Sequence, residues 1–262
     1  MTVEIVFAAL FGLIFGSFLN VCIYRLPRDL SVAWPRSRCL SCGHQIAAYD
    51  NIPVLSFLLL GGRCRHCRSS IYWRYPVVEA LTSALFALGV WFWGPSGEAA
   101  KFAIFAFLLV GMIFADLETR LLPDEFTKGG LIVGIVLSLF VPTKPSLMAI
   151  FLPVSWARFA PLADALGGAA LVSGALWSLG YVFSKVRHKE GLGFGDVKMV
   201  AMIGAFQGIA PALMTIFVGC IGGTLIGLGY IYLAKKDFNS YEMPFGSFLG
   251  VAALAVTIFT GR

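Results

Sequence analysis

Long apolar runs constrain the fold of this chain more than any other feature of its sequence. A bilayer core about 30 Å thick requires about 20 apolar residues for each helical crossing. With 58% hydrophobic and 13% charged residues, the chain lies outside the composition of ordinary soluble domains. We therefore predict an all-α, polytopic membrane helix bundle of about eight transmembrane helices, with crossings at residues 5–24, 76–93, 101–115, 129–142, 165–184, 197–210, 211–233 and 245–260. The third, fourth and sixth runs are short for a crossing, so we expect them to borrow polar neighbours or to end inside a cavity.

Basic residues indicate how these helices are oriented. Of the twenty Lys and Arg residues, eight lie in 25–74, two in 116–128 and four in 185–198, and two more are Lys235 and Lys236. Because cytoplasmic loops are enriched in positive charge, we predict that these connections are cytoplasmic and that both termini are periplasmic. The first run has no basic residue before it and no convincing cleavage site, so we expect it to remain as a helix. The net charge of +6 then reflects topology and contact with membrane lipids, and we expect no nucleic-acid partner.

One polar segment interrupts the apolar pattern and divides the chain. We predict a first transmembrane helix at 1–24, a small cytoplasmic module at 25–75 and a seven-helix membrane domain at 76–262. The connection at 143–163 contains three prolines, which are turn signals. We expect it to form an interfacial loop on the outer face.

The polar module contains two cysteine pairs, "CLSCGH" at 39–44 and "CRHC" at 64–67. The spacing C-x2-C, 21 residues, C-x2-C is typical of a tetrahedral zinc site with four thiolate ligands. Disulfides or thiol redox chemistry are the alternatives, but a reducing cytosol disfavours disulfides. Four protein ligands leave no open position, so we predict a structural zinc ion bound by Cys39, Cys42, Cys64 and Cys67. We expect His44 and His66 to lie outside the ligand set, and Cys22 and Cys220 to be ordinary buried residues within helices.

Two aspartates lie where apolar runs meet polar connections. Asp116 follows "FAFLLVGMIFA", and Asp196 precedes the run that begins at 197. Ionisable groups at such depths are costly and usually face a protein cavity rather than lipid. Taken singly, Asp196 could be a helix N-cap and Asp116 a solvated helix end. Taken together, both lie at the cytoplasmic ends of their helices, which suggests a shared site.

A pair of carboxylates can hydrolyse a peptide bond without a metal. The ionised member takes a proton from water while the protonated member polarises the scissile carbonyl, and the proton belongs to the pair as a whole. The stretch "GLGFGDVK" places three glycines before Asp196. Gly191, Gly193 and Gly195 remove side chains that would hold a substrate backbone away, and they permit dihedrals that other residues rarely adopt.

The ordered motifs of the chain resemble those of the type IV prepilin peptidase family. "GFGDVK" resembles the family's G-x-G-D motif and "DLETRLLPD" its first aspartate motif. "GSFLNVCIYRLP" is similar to its N-terminal signature, "YDNIPVLSFLLLGGRC" and "YPVVEALT" to its cytoplasmic segment, and "MPFGSFLG" to its last-helix motif. The matches follow the family's order from residue 16 to residue 250. In two small respects the chain differs: Ser247 stands where members often carry proline, and the stretch before the first cysteine is short. We expect neither difference to affect the chemistry.

The resemblance implies a bifunctional enzyme of the bacterial inner membrane. Asp116 and Asp196 would be the catalytic pair of a GxGD-type aspartic protease that cleaves the leaders of prepilins and pseudopilins at the cytoplasmic membrane face. The enzyme would then methylate the new N-terminus with S-adenosylmethionine. Gly193, Gly195 and Lys198 would belong to the substrate loop, although Lys198 could simply extend to the surface. Gly62 and Glu79 are candidates for the methyl-donor site, although Glu79 could instead satisfy a helix start beside Pro76.

Other acids of the chain and two other functions offer alternatives to this interpretation. We expect Asp124 to end or cap a turn after Pro123, and Glu118 and Glu125 to be solvated. A transporter whose acids bind cations predicts carboxylates near helix centres, whereas these lie at helix ends. A zinc-module membrane scaffold without catalysis leaves the carboxylate pair unexplained. The sequence does not indicate the oligomeric state.

Overall fold

The computed structural model describes residues 1–141, 146–188, 191–234 and 243–261. Within these ranges the chain is helical, with no β-strand beyond two isolated bridges, which confirms the all-α prediction. Lys235 and Lys236 lie outside the described residues. They are part of the charge pattern that predicts the orientation. The chain divides into two compact units, Met1–Gly111 and Met112–Arg262.

Eleven α-helices occur in the described ranges. They are α1 Thr2–Arg25, α2 Leu55–Leu59, α3 Arg74–Trp93, α4 Gly97–Thr119, α5 Asp124–Ser138, α6 Met148–Phe151, α7 Ala160–Gly167, α8 Ser173–Arg187, α9 Phe194–Gln207, α10 Ile209–Ala234 and α11 Phe245–Thr260. A π-helical turn, Gly168–Val172, joins α7 to α8.

Fewer helices are long enough to cross a membrane than the eight that were predicted. In the described part of the chain, five segments are long and apolar enough to span a bilayer: Thr2–Arg28, Arg74–Trp93, Gly97–Thr119, Val154–Arg187 and Ile209–Tyr230. Each of the other three apolar runs contains a helix, but α5, α9 and α11 have only 15, 14 and 16 residues. In α9 every residue from Met202 to Gln207 is buried within the protein. Its apolar run therefore reflects a protein core rather than a lipid-facing span, and a count of eight is not confirmed.

Much of the connection predicted to be an interfacial loop is helical. Residues 146–163 include α6, a 3-10 segment at Val154–Phe159 and the start of α7. Pro161 lies in the first turn of α7, where a proline leaves no intrahelical hydrogen bond unmade. Pro153 and Pro161, which were interpreted as turn signals, are thus compatible with helix starts, and Pro145 lies outside the described residues.

In the first unit, α1 and α3 approach each other through small residues. A Cβ at Gly12 would lie 2.6 Å from the Ser83 Cα, and one at Gly16 would lie 2.7 Å from the Glu79 Cα. Two glycines four residues apart permit this close backbone contact between membrane helices. Asn20 Nδ2 also donates a hydrogen bond to the Tyr75 carbonyl at 3.0 Å. The contact fixes Glu79 beside the first helix.

In the second unit, α9 occupies the centre. It packs against α5, α7, the π-helical turn, α8, α10 and α11. It approaches the backbone of the π-helical turn closely, since a Cβ at Gly204 would lie 2.3 Å from the Gly168 carbonyl carbon. The first turn of this central helix carries Asp196.

Candidate active site and metal centre

The second unit brings together the two aspartates selected from the sequence. Asp116 lies in the last turn of α4 and Asp196 in the first turn of α9, and the Asp116 charge acts directly on Asp196. Asp116 is only 5% exposed, so its interpretation as a solvated helix end is wrong. Gly193, rather than Asp196, is the N-cap of α9, and its backbone hydrogen-bonds the Asp196 carboxylate. Two acids 80 positions apart in sequence therefore share one site, in which Asp116 is buried and Asp196 is half-buried.

Ser247 holds the Asp116 carboxylate. Its backbone N–H donates to Asp116 Oδ2 at 2.7 Å, and its hydroxyl reaches the same oxygen at 2.8 Å. Position 247, where no effect on the chemistry was expected, therefore contacts Asp116 directly. No sequence signal links Ser247 to Asp116, because they are 131 positions apart and meet only when α11 packs against the end of α4.

Glycines on two helices leave room around the carboxylates. A Cβ at Gly246 would lie 3.2 Å from Asp116 Oδ2, and one at Gly193 would lie 3.3 Å from Asp196 Oδ2. A Cβ at Gly195 would instead meet Leu122, at 3.4 Å, and Leu122 also lies 3.2 Å from the Cβ position of Gly246. Leu122 thus lies between the helix starts that carry Gly195 and Gly246. Gly246 was not selected from the sequence.

Two roles were expected of the three glycines before Asp196, small size and dihedral freedom, and the structure shows no use of the second. None of them is among the positive-φ glycines of the described residues, and Gly193 has an ordinary φ of −69°. Gly191 packs against Phe183, since a Cβ at that position would lie 2.2 Å from Phe183 Cδ1. Small size, rather than unusual dihedrals, explains these residues, and only Gly193 and Gly195 lie near Asp196.

Lys198, predicted to belong to the substrate loop, pairs with an acidic residue of the protein itself. It forms an ion pair with Asp124, and its ammonium also lies 5.6 Å from the Phe194 ring centroid. Asp124 accepts a second ion pair from Lys128 at 2.7 Å, and hydrogen bonds from Lys128 and Lys198 lower the pKa of Asp124 to about 2. Asp124 is the first residue of α5 and Pro123 is the N-cap, so Asp124 begins a helix rather than ending a turn. Glu118 and Glu125 are exposed, as predicted.

The four predicted zinc ligands converge in the first unit. One sulfur position from each of Cys39, Cys42, Cys64 and Cys67 lies within 4.8 Å of the others. The sulfurs of Cys39 and Cys67 are 3.8 Å apart. A tetrahedral ion with Zn–S bonds of about 2.3 Å requires sulfurs about 3.8 Å apart, so the donor set fits zinc.

Each cysteine pair lies in a tight turn, here called a hook, at residues 39–44 and 64–69. The two hooks have the same backbone geometry. Cys39 N–H donates to the His44 carbonyl and Cys64 N–H to the Ser69 carbonyl, both at 2.9 Å. Each hook then has a residue with positive φ: Gly43 at +71° in the first and Arg68 at +59° in the second. The repeated geometry aims both cysteine pairs at one point.

Local hydrogen bonds also change the acidity of the thiols. The backbone N–H of Cys42 lowers the pKa of the Cys39 thiol to about 6. Although the backbone N–H of His44 acts in the opposite direction, burial and the neighbouring Cys67 and Cys39 raise the pKa of Cys42 to about 11. An ion at this site would therefore have to displace a proton from Cys42.

The remaining histidines and cysteines lie outside the metal cluster of the described residues. His44 and His66 stack on each other, with centroids 4.4 Å apart and an interplanar angle of 8°. Cys22 is buried as expected, but Cys220 is exposed, so the prediction that it is buried is wrong. Cys220 lies on α10, whose span is only one-third buried.

A cavity of about 820 Å³ lies in the first unit, beside the cysteine hooks. Glu79 lines it and accepts a hydrogen bond from the Val54 N–H at 2.7 Å, so Glu79 anchors the polar module rather than a helix start. Gly62 does not line the cavity. It has a φ of +66°, and a Cβ there would lie 3.1 Å from the ring of Phe57, which does line it. Several of the other lining residues are aromatic, among them Tyr24, Trp34, Tyr49, Tyr72 and Tyr75.

Comparisons with known proteins also divide the chain into two parts. Residues 10–93 match the bacterial peptidase A24 N-terminal domain, and residues 102–228 match the type IV leader peptidase family. The prepilin leader peptidase/N-methyltransferase of Burkholderia pseudomallei strain 1026b is 34% identical over 284 residues, covering 98% of this chain and 86% of the relative. The protein of the same name from Pseudomonas putida is 33% identical, covering 95% and 88%. The one from Pseudomonas aeruginosa is 32% identical, covering 93% and 86%. No solved structure shows a significant match.

Proposed function

Because the chain belongs to the type IV leader peptidase family, we propose that it cleaves the leaders of prepilins and pseudopilins and then methylates the new N-terminus. Asp116 and Asp196 form the catalytic pair of the first reaction. The observation that carries this proposal is the convergence of these two acids from separate helices, with Asp116 buried and Asp196 half-buried. Cation transport is disfavoured, because both acids lie at helix ends rather than at helix centres.

The pair hydrolyses the peptide by activating water. One carboxylate accepts a proton from the water as its oxygen attacks the scissile carbonyl carbon, while the other donates its proton to the carbonyl oxygen. The tetrahedral intermediate then loses its amine, the C–N bond breaks, and the amine leaves with a proton returned from the pair. A buried site strengthens these charge interactions because water does not screen them.

The glycines beside the carboxylates provide space for the substrate backbone. Gly193 faces Asp196 and Gly246 faces Asp116, each with no side chain to occupy the space next to a carboxylate oxygen. An extended peptide segment can approach both acids from this side. Lys198 contributes by fixing the start of α5 through Asp124.

We propose that Cys39, Cys42, Cys64 and Cys67 bind a structural zinc ion. The 3.8 Å sulfur separation and the convergence of all four thiols support zinc. When bound, the ion supplies folding free energy, on the order of 10 kcal/mol, to a module too small for a core of its own. Residues of both hooks form one wall of the cavity in the first unit.

The same cavity is the proposed site for S-adenosylmethionine. Its volume of about 820 Å³ lies in the range of small-molecule sites, about 300–1,000 Å³. When bound, S-adenosylmethionine supplies an electrophilic methyl group on a sulfonium cation. Aromatic rings such as Trp34 and Tyr49 can stack on its adenine and face its cationic centre. Glu79 fixes the module at Val54, and Gly62 acts indirectly by allowing Phe57 to pack in the wall.

The protein is a multi-pass membrane protein, and its proposed orientation follows the charge distribution. Sites in 25–74 and 116–128 would then be cytoplasmic, with both termini periplasmic. Many large apolar side chains are exposed, for example Phe7, Phe217 and Leu225, and these would contact lipid. Labelling of single added cysteines in intact cells tests this orientation.

The catalytic assignment is tested with the purified full chain in detergent and a prepilin substrate. Asp116→Asn and Asp196→Asn should each reduce leader removal, followed by mass, by at least about a hundredfold. Glu118→Gln is the matched control, because it removes an exposed acid from the same end of α4. Full activity in either aspartate variant would exclude that residue from the pair. Zinc content should be the same in all four proteins.

A further inference from the structure

Ser247 contacts one oxygen of Asp116 with two donors. The third residue of α11, it is 6% exposed and lies against Ile113 as well as Asp116. Its N–H and hydroxyl both point to Oδ2, at 2.7 Å and 2.8 Å. A carboxylate oxygen accepts about two hydrogen bonds. Ser247 therefore fills the acceptor capacity of Oδ2 and leaves Oδ1 as the oxygen that can act on water.

Hydrogen bonds of this kind favour the ionised form of an acid. Asp116 receives two donors from Ser247, whereas the contact recorded for Asp196 is one backbone hydrogen bond from Gly193. Arg120, just beyond the end of α4, adds a favourable charge interaction with Asp116. These hydrogen bonds and this charge favour the negative charge of the pair on Asp116, and they offset the burial of its carboxylate.

Other charged groups near the pair do not reverse this preference. On α9, Lys198 is engaged by Asp124 of α5. From α11, the groups that face Asp116 are Gly246 and Ser247, which carry no charge. The electrostatic asymmetry of the pair therefore depends on Ser247 and Arg120.

The Ser247 hydroxyl also has an alternative acceptor. Its oxygen lies 3.1 Å from the Ile113 carbonyl and 2.8 Å from Asp116 Oδ2, and a hydroxyl has one proton to donate. When Asp116 is ionised, the stronger acceptor is Oδ2. When Asp116 has taken up a proton, the hydroxyl can turn to Ile113 without losing a hydrogen bond. Ser247 is therefore satisfied in both protonation states of the buried acid.

We propose that Ser247 is a positioning residue that fixes the roles of the pair, with Asp116 as the base and Asp196 as the acid. This inference rests on the proposed peptidase function. In the first step, a water proton moves to Asp116 Oδ1, the water oxygen bonds to the scissile carbon, and the Asp196 proton moves to the carbonyl oxygen. On collapse, the carbonyl reforms by returning a proton to Asp196, and Asp116 gives its proton to the leaving amine. Both acids return to their starting states.

The test compares Ser247→Ala and Ser247→Pro with the wild-type full chain. Alanine removes the hydroxyl and keeps the N–H, whereas proline removes both donors and is sterically acceptable in the first turn of a helix. Thr260→Val is the control, because it removes a hydroxyl that bonds within the far end of the same helix. Rates of prepilin cleavage are measured across pH, and kcat and KM are separated.

Loss of a donor makes Asp116 harder to ionise, so the acidic limb of the kcat/KM profile should move to higher pH. We expect a movement of about one pH unit for Ser247→Ala and a larger one for Ser247→Pro. At neutral pH, kcat should fall up to about tenfold for Ser247→Ala with KM unchanged, and Thr260→Val should match wild type.

The outcomes separate this inference from the proposed function. If wild type cleaves prepilin and the Ser247 variants keep its pH profile, the role of Ser247 is refuted and the peptidase function stands. A loss of activity with an unchanged pH profile and a lowered melting temperature also refutes it, because that result indicates a structural role only. If wild type does not cleave, the proposed function itself fails. Should Ser247→Ala not fold, the profile of Ser247→Pro decides the question.

Discussion

Substitutions at the matching positions of the two cysteine hooks should have opposite effects on metal binding, one strengthening it and the other weakening it. Gly43 and Arg68 occupy the same position of the two hooks, with φ of +71° and +59°. A Cβ added at Gly43 would meet no atom within 4 Å, and Arg68 is exposed. Substitutions at these positions therefore change the backbone preference of the chain rather than its packing.

The magnitude follows from the left-handed conformation. A residue other than glycine pays about 1–2 kcal/mol to adopt it, while the extra freedom of glycine in the unfolded chain offsets about 0.5–1 kcal/mol. Arg68→Gly should therefore stabilise the folded hook by about 0.5–1 kcal/mol, and Gly43→Ala should destabilise its hook by a similar amount. Since binding of a structural ion is coupled to folding, zinc affinity should change about two- to fivefold in opposite directions.

The assay is competition for zinc between the purified full chain and a chelator of known affinity. Arg68→Ala is the essential control, because it removes the positive charge near the thiols but keeps the strained backbone. Zinc should bind more tightly to Arg68→Gly than to Arg68→Ala, and more weakly to Gly43→Ala than to wild type. Equal affinities in both comparisons would refute the argument that the hook conformation contributes to metal binding.

Three further predictions concern other parts of the chain. Glu79→Ala removes the acceptor of the Val54 N–H and should lower methyl transfer at least about tenfold, measured with labelled donor on a pre-cleaved pilin. Gly246→Ala places a Cβ 3.2 Å from Asp116 Oδ2 and should lower cleavage about tenfold by crowding the proposed site, whereas Gly222→Ala, with open space around it, should not. Asp124→Asn loses two lysine partners and should lower the melting temperature at neutral pH by at most about 3 °C. Because the pKa of Asp124 is lowered to about 2, that contribution is present above its unfolded pKa of about 4 and should disappear as pH falls towards 2.

The sequence predicted the class of fold well because bilayer-length apolar segments have few structural solutions. It could not distinguish a span from a buried core helix, since both lack charge. The helix α9 illustrates this limit: its apolar run is real, but its 14 residues are too few for a full crossing, and most of those after Lys198 are covered by neighbouring helices. Only packing partners, which are distant in sequence, decide between the two cases.

The candidate site was predictable where chemistry fixes spacing or residue type. Four cysteines in C-x2-C pairs and two acids at helix ends both converge as expected. Ser247 and Gly246 were missed because their roles depend on which helix packs beside Asp116, and no local pattern encodes that contact. Gly191 was overinterpreted for the opposite reason: a recognisable motif suggested a substrate role, whereas the residue packs against Phe183.

Of the two proposed reactions, methyl transfer depends on cleavage, whereas cleavage does not depend on methyl transfer. Methyl transfer requires a free amine, and on an intact prepilin that amine exists only after the peptide bond has been cleaved. Loss of Asp116 should therefore abolish both products from prepilin, while loss of Glu79 should leave an unmethylated, cleaved pilin. The residues concerned lie in separate compact units, with the aspartates in Met112–Arg262 and Glu79 in Met1–Gly111. A pre-cleaved substrate bypasses the dependence, so an Asp116→Asn enzyme that still methylates it would show that the two chemistries are carried by different parts of one chain.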